Sequence, residues 1–138
     1  MSYARKKIVF DTSSLIPTCL HPHRTPAKIL CQAFELCDVY TSASAFQELE
    51  EVVLREKFEA WQSLFCRKMW LSELKRNLIF VEPSELVLDC RDTKDNKFLD
   101  ICNAVSADIL VSSDIHLLEL HPYGGTRIVQ IAEFGVEM

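Results

Sequence analysis

Five short apolar runs along the chain predict β-strands, at residues 7–11, 39–41, 78–81, 109–111 and 127–131. The clearest is Ile109-Leu110-Val111, because three consecutive branched residues between polar neighbours are typical of a strand buried on both faces. This run leads into two serines and Asp114. The first run ends in the same way, in Asp11 followed by hydroxyl side chains. Two buried strands are therefore expected to end in a carboxylate.

Helical patterns occupy the intervals between those runs. Apolar residues on one side predict a helix over residues 12–20, which begins directly after Asp11. A later helix is capped by Ser42 or by Ser44, since Ser44 lies three residues before Gln47 in the spacing of a capping box. Four further helices are predicted: one that begins at residues 24–26, one over residues 58–77, one after the charged loop 92–97, and one over residues 115–120. Residues 85–89 fit either a minor strand or a helical turn.

The pattern at residues 58–77 is unusual because its apolar positions spread around much of the helix circumference. These positions are Trp61, Leu64, Phe65, Met69, Leu71 and Leu74. Part of such a face would cover a neighbouring element or a partner chain, whereas a core helix with a broad buried face is the simpler interpretation. Both interpretations stay open at this point.

Strands that alternate with helices throughout predict an α/β fold with a doubly wound, mainly parallel sheet and right-handed crossovers. The sequence shows no internal repeat, and its 138 residues are expected to form one domain over residues 1–138. A hydrophobic content of 49% with 25% charged residues is ordinary for a globular chain. A core of this size needs no disulfide or structural metal.

The formal net charge of −5 excludes a global basic field, so any contact with nucleic acid must be local or supplied by a bound metal. None of the six cysteines forms a Cys-x-x-Cys pair, which favours buried free thiols in a reducing compartment. They are Cys19, Cys31, Cys37, Cys66, Cys90 and Cys102. The N-terminal residues carry no apolar signal core, and no stretch approaches membrane-spanning length. We expect a cytoplasmic protein without membrane contact.

Asp11 and Asp114 are the first candidates for chemistry. In open α/β sheets, ligands bind beyond the carboxyl ends of the strands, where the strand order reverses. Glu48 in the third helix and Asp95 near a helix start complete a set of four acids. Carboxylates without histidine or cysteine ligands suit Mg²⁺ or Mn²⁺ rather than zinc.

Each acid also has an ordinary structural interpretation. Asp11, Asp95 and Asp114 fit helix N-caps, and Glu48 fits a solvated helix face. Other reaction classes lack their motifs: His21 and His23 have no third metal ligand at a useful spacing, no Gly-x-Ser-x-Gly elbow is present, and all three glycines follow residue 123.

Four motifs in order resemble those of the PIN-domain nucleases, and most closely the bacterial toxin components of toxin–antitoxin pairs. They are Asp11-Thr12-Ser13, the helix with Glu48-Leu49, the run from Arg91 to Leu99, and Leu110-Val111-Ser112-Ser113-Asp114. The resemblance spans residues 7–131. It implies an α/β/α sandwich and a metal-dependent endoribonuclease that a cognate antitoxin holds inactive, in a family whose members are often homodimers.

Asp11, Glu48, Asp95 and Asp114 match the family's acidic quartet, so the resemblance implies that they bind Mg²⁺ or Mn²⁺ and carry catalysis. Two positions depart from the family pattern. Ser13 stands where the family usually has asparagine, and His116 stands where many relatives have a further acid, which puts a second metal position in doubt. Asp92 and Ser112 are secondary candidates.

Arg24, Lys94 and Lys97 are candidates to supply local positive charge for RNA phosphates, although an ordinary solvated loop charge is the simpler interpretation of each one alone. Two alternative functions stay open. One is a non-catalytic PIN-fold module that binds a protein or regulates it, which Ser13 and His116 motivate. The other is phosphotransfer with Asp11 as the acceptor, against which the absence of an Asp-x-Asp pair counts.

Overall fold

The computed structural model describes residues 4–85 and 93–138. Within these residues, five strands form a single sheet in which every pair is parallel, in the order β3-β2-β1-β4-β5. The strands are β1 Lys7–Phe10, β2 Asp38–Thr41, β3 Ile79–Phe80, β4 Ile109–Val111 and β5 Arg127–Val129. The predicted parallel sheet is confirmed, and the expectation of a single domain stays a prediction.

Helices connect successive strands, as parallel pairing requires. They are α1 Thr12–Leu20, α2 Thr25–Leu36, α3 Ala43–Val53, α4 Leu64–Asn77, α5 Asn96–Val105, α6 Ile115–Leu118 and α7 Ile131–Glu137. Two 3₁₀ turns, Glu56–Ala60 and Thr93–Asp95, precede α4 and α5.

Alternate residues of the central strands face two separate cores. Ile8 and Phe10 of β1 pack with apolar residues of α1, α2, α3, α4 and α7, whereas Val9 packs with those of α5 and α6. Both faces of the sheet are thus covered, which explains why β1 and β4 read as continuous apolar runs. The predicted α/β/α sandwich is confirmed.

The strand order reverses between β1 and β4. β1 pairs with β2 on one side and with β4 on the other, and Phe10 at the end of β1 lies opposite Val111 at the end of β4. In a doubly wound sheet, this reversal opens a crevice at the carboxyl ends of the two strands. The residues that directly follow Phe10 and Val111 therefore border the crevice.

The predicted helix over residues 58–77 is wrong as one continuous element. Its first part is the 3₁₀ turn Glu56–Ala60, and α4 begins only after Ser63, whose hydroxyl accepts from the Cys66 amide at 3.1 Å. Similarly, Ser42 rather than Ser44 caps α3, because the Ser42 hydroxyl accepts from the Ala45 amide at 3.2 Å.

A buried arginine gives the physical reason for the break before α4. The Arg67 guanidinium, 1% exposed, donates to the carbonyls of Val53, Arg55 and Gln62 at 2.8–3.1 Å. It also pairs with the Glu59 carboxylate at 2.5 Å. Carbonyls that a continuous helix would satisfy internally are satisfied here by one side chain, so the chain leaves the α-helical conformation between α3 and α4 without unpaired carbonyls at these positions.

The predicted last strand over residues 127–131 is too long, because β5 ends at Val129 and Ile131 begins the C-terminal helix α7. This seven-residue helix was not predicted. Phe134 of α7 packs edge-on against Phe10, with ring centroids 5.8 Å apart. A Cβ atom at Gly135 would lie 2.5 Å from Ile29 Cδ1, so glycine permits the close approach of α7 to α2.

The two interpretations of the broad apolar pattern each hold for one end of it. Leu71 and Leu74 are buried in the core, whereas Trp61, Leu64, Phe65 and Met69 are 41–72% exposed.

Cys19, Cys37 and Cys102 are buried free thiols as expected, but Cys31 and Cys66 are exposed, so that expectation is wrong for these two.

Cys90 and residues 86–89 lie outside the described residues. Across residues 4–85 and 93–138, every helix is too short or too polar to cross a bilayer.

Replacing Arg67 by methionine is expected to lower the free energy of unfolding by about 3 kcal/mol, because buried carbonyls lose their donor. Urea denaturation measures this loss. Arg76→Met on the same helix removes an exposed arginine that pairs with Glu73, and it should change stability by less than about 0.5 kcal/mol. Equal effects of the two substitutions would contradict the structural role of Arg67.

Candidate active site

Asp11 lies directly after β1 and caps α1. Its extended backbone ends the strand, and its carboxylate accepts from the Ser14 amide at 2.9 Å. The residue is 1% exposed. The capping interpretation of Asp11 is therefore correct, but it leaves the second carboxylate oxygen to be satisfied by other groups.

Serine hydroxyl groups from the segments after β1 and β4 donate to the Asp11 carboxylate. Ser112 Oγ, directly after β4, donates to Asp11 Oδ2 at 2.5 Å and accepts from the Asp114 amide at 2.9 Å. Ser13 Oγ lies 2.8 Å from both carboxylate oxygens and accepts from the Ser113 amide at 3.2 Å. The serine that replaces the family's asparagine thus keeps a hydrogen bond to Asp11 and links the segments after β1 and β4.

Burial raises the pKa of Asp11 above its ordinary value of 3.8, and the hydrogen bonds from Ser112, Ser14 and Ser13 oppose this shift. Desolvation penalises the ionised form, whereas hydrogen-bond donors favour it. The same enclosure argues against the phosphotransfer alternative, since hydroxyl groups cover an acid that would have to attack a phosphate.

Asp114 caps α6 at the end of the segment that follows β4. Its carboxylate accepts from the His116 amide at 2.8 Å, and its own amide donates to Ser112. The imidazole Nδ1 of His116 lies 4.0 Å from Glu119 Oε1. The histidine at this position therefore lies beside the glutamate that directly follows α6.

Glu48 of α3 approaches the same edge of the sheet through Thr12. The Thr12 hydroxyl, adjacent to Asp11 in the chain, donates to Glu48 Oε2 at 2.6 Å. The Lys97 ammonium lies 3.0 Å from the other oxygen, Oε1. Interpreting Glu48 as a solvated helix face is therefore wrong, because both of its oxygens accept from protein donors.

Asp95 ends the 3₁₀ turn before α5 and is 9% exposed. It occupies the N-cap position of α5 as the capping interpretation expects, but within the described residues its carboxylate makes no capping bond to that helix. Lys97, two residues further, reaches Glu48, which brings the start of α5 next to α3. Asp92 lies outside the described residues.

Ser112 Oγ thus links the Asp11 carboxylate to the backbone amide of Asp114, and Glu48 is hydrogen-bonded to Thr12, the residue that follows Asp11. Asp95 lies at the start of the helix that contacts Glu48. Over residues 4–85 and 93–138, no three acidic, histidine or cysteine side chains form a ready-made metal cluster. The donor set nevertheless fits Mg²⁺ or Mn²⁺, because carboxylate and hydroxyl oxygens are hard ligands. A cation would have to replace protein donors that now occupy Asp11 and Glu48.

An open polar groove of about 580 Å³ lies beside Glu48, between α3 and the start of α5. Its lining includes Glu51, Arg55, Lys94 and Lys97. The predicted substrate residues Lys94 and Lys97 thus share one surface. Arg24 is exposed at the N-cap of α2, beyond the end of α1, and is not among the residues that line this groove.

Sequence reasoning assigned no role to Thr12, Ser14 or Arg55. The run of three hydroxyl residues after Asp11 was the available signal for the first two, since a buried carboxylate needs donors close to it. Arg55 follows α3 in a charged stretch, and nothing in the local pattern distinguishes it from a solvated arginine.

The parallel sandwich with carboxylates along the carboxyl edge of β1 and β4 defines an α/β/α protein whose acidic edge is the candidate active site. A model of the PIN domain matches residues 7–116. The chain belongs to the PIN-domain family.

A sequence relative and several solved structures are similar to this chain. The uncharacterized protein MJ1680 of Methanocaldococcus jannaschii is 30% identical over 122 residues, which cover 87% of this chain and 78% of that protein. PAE2754 from Pyrobaculum aerophilum has a TM-score of 0.68 at 14% identity, covering 96% of this chain and 88% of that chain.

VapBC2 from Rickettsia felis, solved with a DNA fragment from their promoter, has a TM-score of 0.60 at 13% identity, covering 88% of this chain and 96% of that chain. The PIN domain of human SMG5 has a TM-score of 0.50 at 13% identity, covering 95% and 97%. At these identities the solved structures support the fold alone.

The raised pKa of Asp11 predicts a pH-dependent stability. The folded chain keeps the Asp11 proton to higher pH than the unfolded chain, so this stabilisation is full below 3.8 and is lost as the pH rises through the raised pKa. We expect the stability of the parent protein relative to Asp11→Asn to fall over that range and then level off.

Urea unfolding of both proteins in EDTA at a series of pH values measures the difference. Glu133→Gln, at an exposed acid of α7, is the control and should show no such fall. A relative stability that rises with pH would contradict burial as the dominant influence on Asp11.

Proposed function

We propose that this protein is a metal-dependent endoribonuclease that cleaves RNA phosphodiester bonds. The observation that carries the proposal is the position of Asp11 and Asp114, joined by Ser112 at the strand reversal of a PIN-domain chain, with Glu48 hydrogen-bonded to Thr12 beside Asp11. Acids at this edge of a parallel sheet are positioned where such folds bind their ligands.

Asp11, Glu48, Asp95 and Asp114 would hold Mg²⁺ or Mn²⁺. When bound, the cation polarises a phosphoryl oxygen and makes water more acidic. The protein's own groups orient the ligands: Ser112 and Ser13 fix the Asp11 carboxylate, and Thr12 fixes Glu48.

Lys94 and Lys97 supply positive charge for the phosphates of the substrate. They line the groove that borders Glu48, so a strand whose scissile phosphate lies over the acids would run past them. Bare carboxylates repel RNA, and such local charge offsets the acidic character of the whole chain.

We further propose that the protein is the toxin of a type II toxin–antitoxin pair, with a cognate antitoxin as its protein partner and a homodimer as its assembled form. The resemblance to that branch of the family and the structural similarity to VapBC2 support this role. The four exposed apolar side chains before and within α4 also favour a protein partner, since exposed large apolar side chains concentrated in one segment are typical of interaction surfaces.

The second candidate is a non-catalytic PIN-fold module that binds a protein. It is favoured by one observation, namely that protein donors occupy both Asp11 and Glu48 while no metal cluster is preformed among the described residues. Partner binding without any affinity for Mn²⁺ would support this candidate over the nuclease.

Asp11→Asn and Asp95→Asn are each expected to lower RNA cleavage about 100-fold or more, because each removes a charged metal ligand. A fluorogenic RNA assay with Mn²⁺ or Mg²⁺ measures the rate, EDTA should abolish it, and circular dichroism checks that the variants fold. Glu133→Gln should retain the parent rate. Full cleavage by a folded Asp11→Asn protein would refute the proposed centre.

The toxin role predicts a stable complex with the product of a small reading frame next to the gene. Co-expression should yield one co-purifying complex, and the complex should cleave RNA at least about tenfold more slowly than the isolated chain. Cleavage at an equal rate with and without the bound partner would contradict an antitoxin.

A further inference from the structure

The ion pair between Lys97 and Glu48 is the feature that the proposed function leaves unexplained. The ammonium lies 3.0 Å from Glu48 Oε1, and both side chains are 22% exposed. Thr12 donates to the other oxygen at 2.6 Å. Glu48 is therefore fully engaged by a cationic and a neutral donor.

This arrangement conflicts with Glu48 as a metal ligand. The negative charge of Oε1 is already neutralised by the Lys97 ammonium at hydrogen-bond distance. A divalent cation bound to the same oxygen would repel that ammonium. Binding of a divalent ion through Oε1 requires the ammonium to move away.

The groove beside Glu48 gives the ammonium a place to move to. Lys97 already lines this groove together with Arg55, Lys94 and Glu51. A lysine carries its charge on a flexible four-carbon stem, so the ammonium can exchange partners without movement of α5. Displacement would add one positive charge to a surface that already has an excess of basic side chains.

We propose that Lys97 is an internal counter-ion that neutralises Glu48 until a divalent cation replaces it, and that the displaced ammonium then joins Arg55 and Lys94 in binding RNA phosphates along the groove. This inference rests on the proposed function. It makes Lys97 a positioning residue that couples the metal to the substrate.

The coupling has a thermodynamic consequence. If cation binding frees Lys97 for phosphate, the cation raises RNA affinity, and RNA raises cation affinity by the same factor. Without Lys97 the groove no longer gains a charge when the cation binds, so that factor should shrink.

The first measurement is calorimetric titration of the RNA-free protein with Mn²⁺ and with Ca²⁺. Lys97→Met should bind both ions about fivefold more tightly, because the ions no longer displace an ion-paired ammonium. Lys97→Arg should restore the parent affinity. Arg55→Met removes a positive charge from the same groove but leaves the Glu48–Lys97 pair intact, and it should bind the ions as the parent does.

The second measurement is fluorescence anisotropy of a labelled single-stranded RNA, in EDTA and in Ca²⁺. In the parent protein Ca²⁺ should strengthen RNA binding, and in Lys97→Met the gain should be at least about threefold smaller. Arg55→Met should weaken RNA binding by a similar factor under both conditions, since its charge is available in either state.

The outcomes separate this inference from the function on which it rests. Tight metal binding that is equal in the parent and in Lys97→Met would overturn the counter-ion role while leaving the nuclease proposal in place. Absence of metal binding in both proteins would overturn both. If Arg55→Met raised the metal affinity as much as Lys97→Met does, the increase would come from the loss of any positive charge in the groove. This outcome would also overturn the proposed exchange of Lys97 for the divalent cation.

Discussion

Enclosure of the Asp11 carboxylate is the constraint on which the arrangement of the site depends. A buried carboxylate is tolerated only if donors surround it, and those donors come from Ser13 and Ser14 after β1 and from Ser112 after β4. The same bonds start α1 and hold two strand ends together at the strand reversal. One side chain thereby ends a strand, begins a helix and joins the ends of β1 and β4 at the edge that Asp114 also borders.

The acidic edge is satisfied internally in the structure. Asp11 accepts from serines, Glu48 accepts from Thr12 and Lys97, and Asp114 caps α6. Such a network avoids the repulsion that clustered bare carboxylates would suffer. Its cost is that a metal ion must compete with groups of the protein, so the affinity for metal depends on how readily hydroxyl and ammonium donors exchange.

Features that depend on residues close together in the sequence were predictable from it, whereas features that depend on contacts between distant residues were not. The buried strands and the start of α1 after Asp11 were predictable, because apolar runs and strand-end acids are local patterns. The pair of Glu48 and Lys97 joins residues 49 positions apart, and no local pattern encodes it. Arg67 interrupts a helical pattern by satisfying distant carbonyls, and α7 depends on the contact of Gly135 with Ile29, so tertiary contacts decided both elements.

The edge of the sheet opposite the acids has its own consequence. An apolar pocket lies there, at the amino ends of the strands. It is lined by Arg5, Cys37, Phe134 and Met138, among other residues. This pocket lies at the opposite ends of the strands from the crevice. Affinity tags, fluorescent reporters or surface tethers attached there would therefore leave the acidic edge accessible to a long polymer.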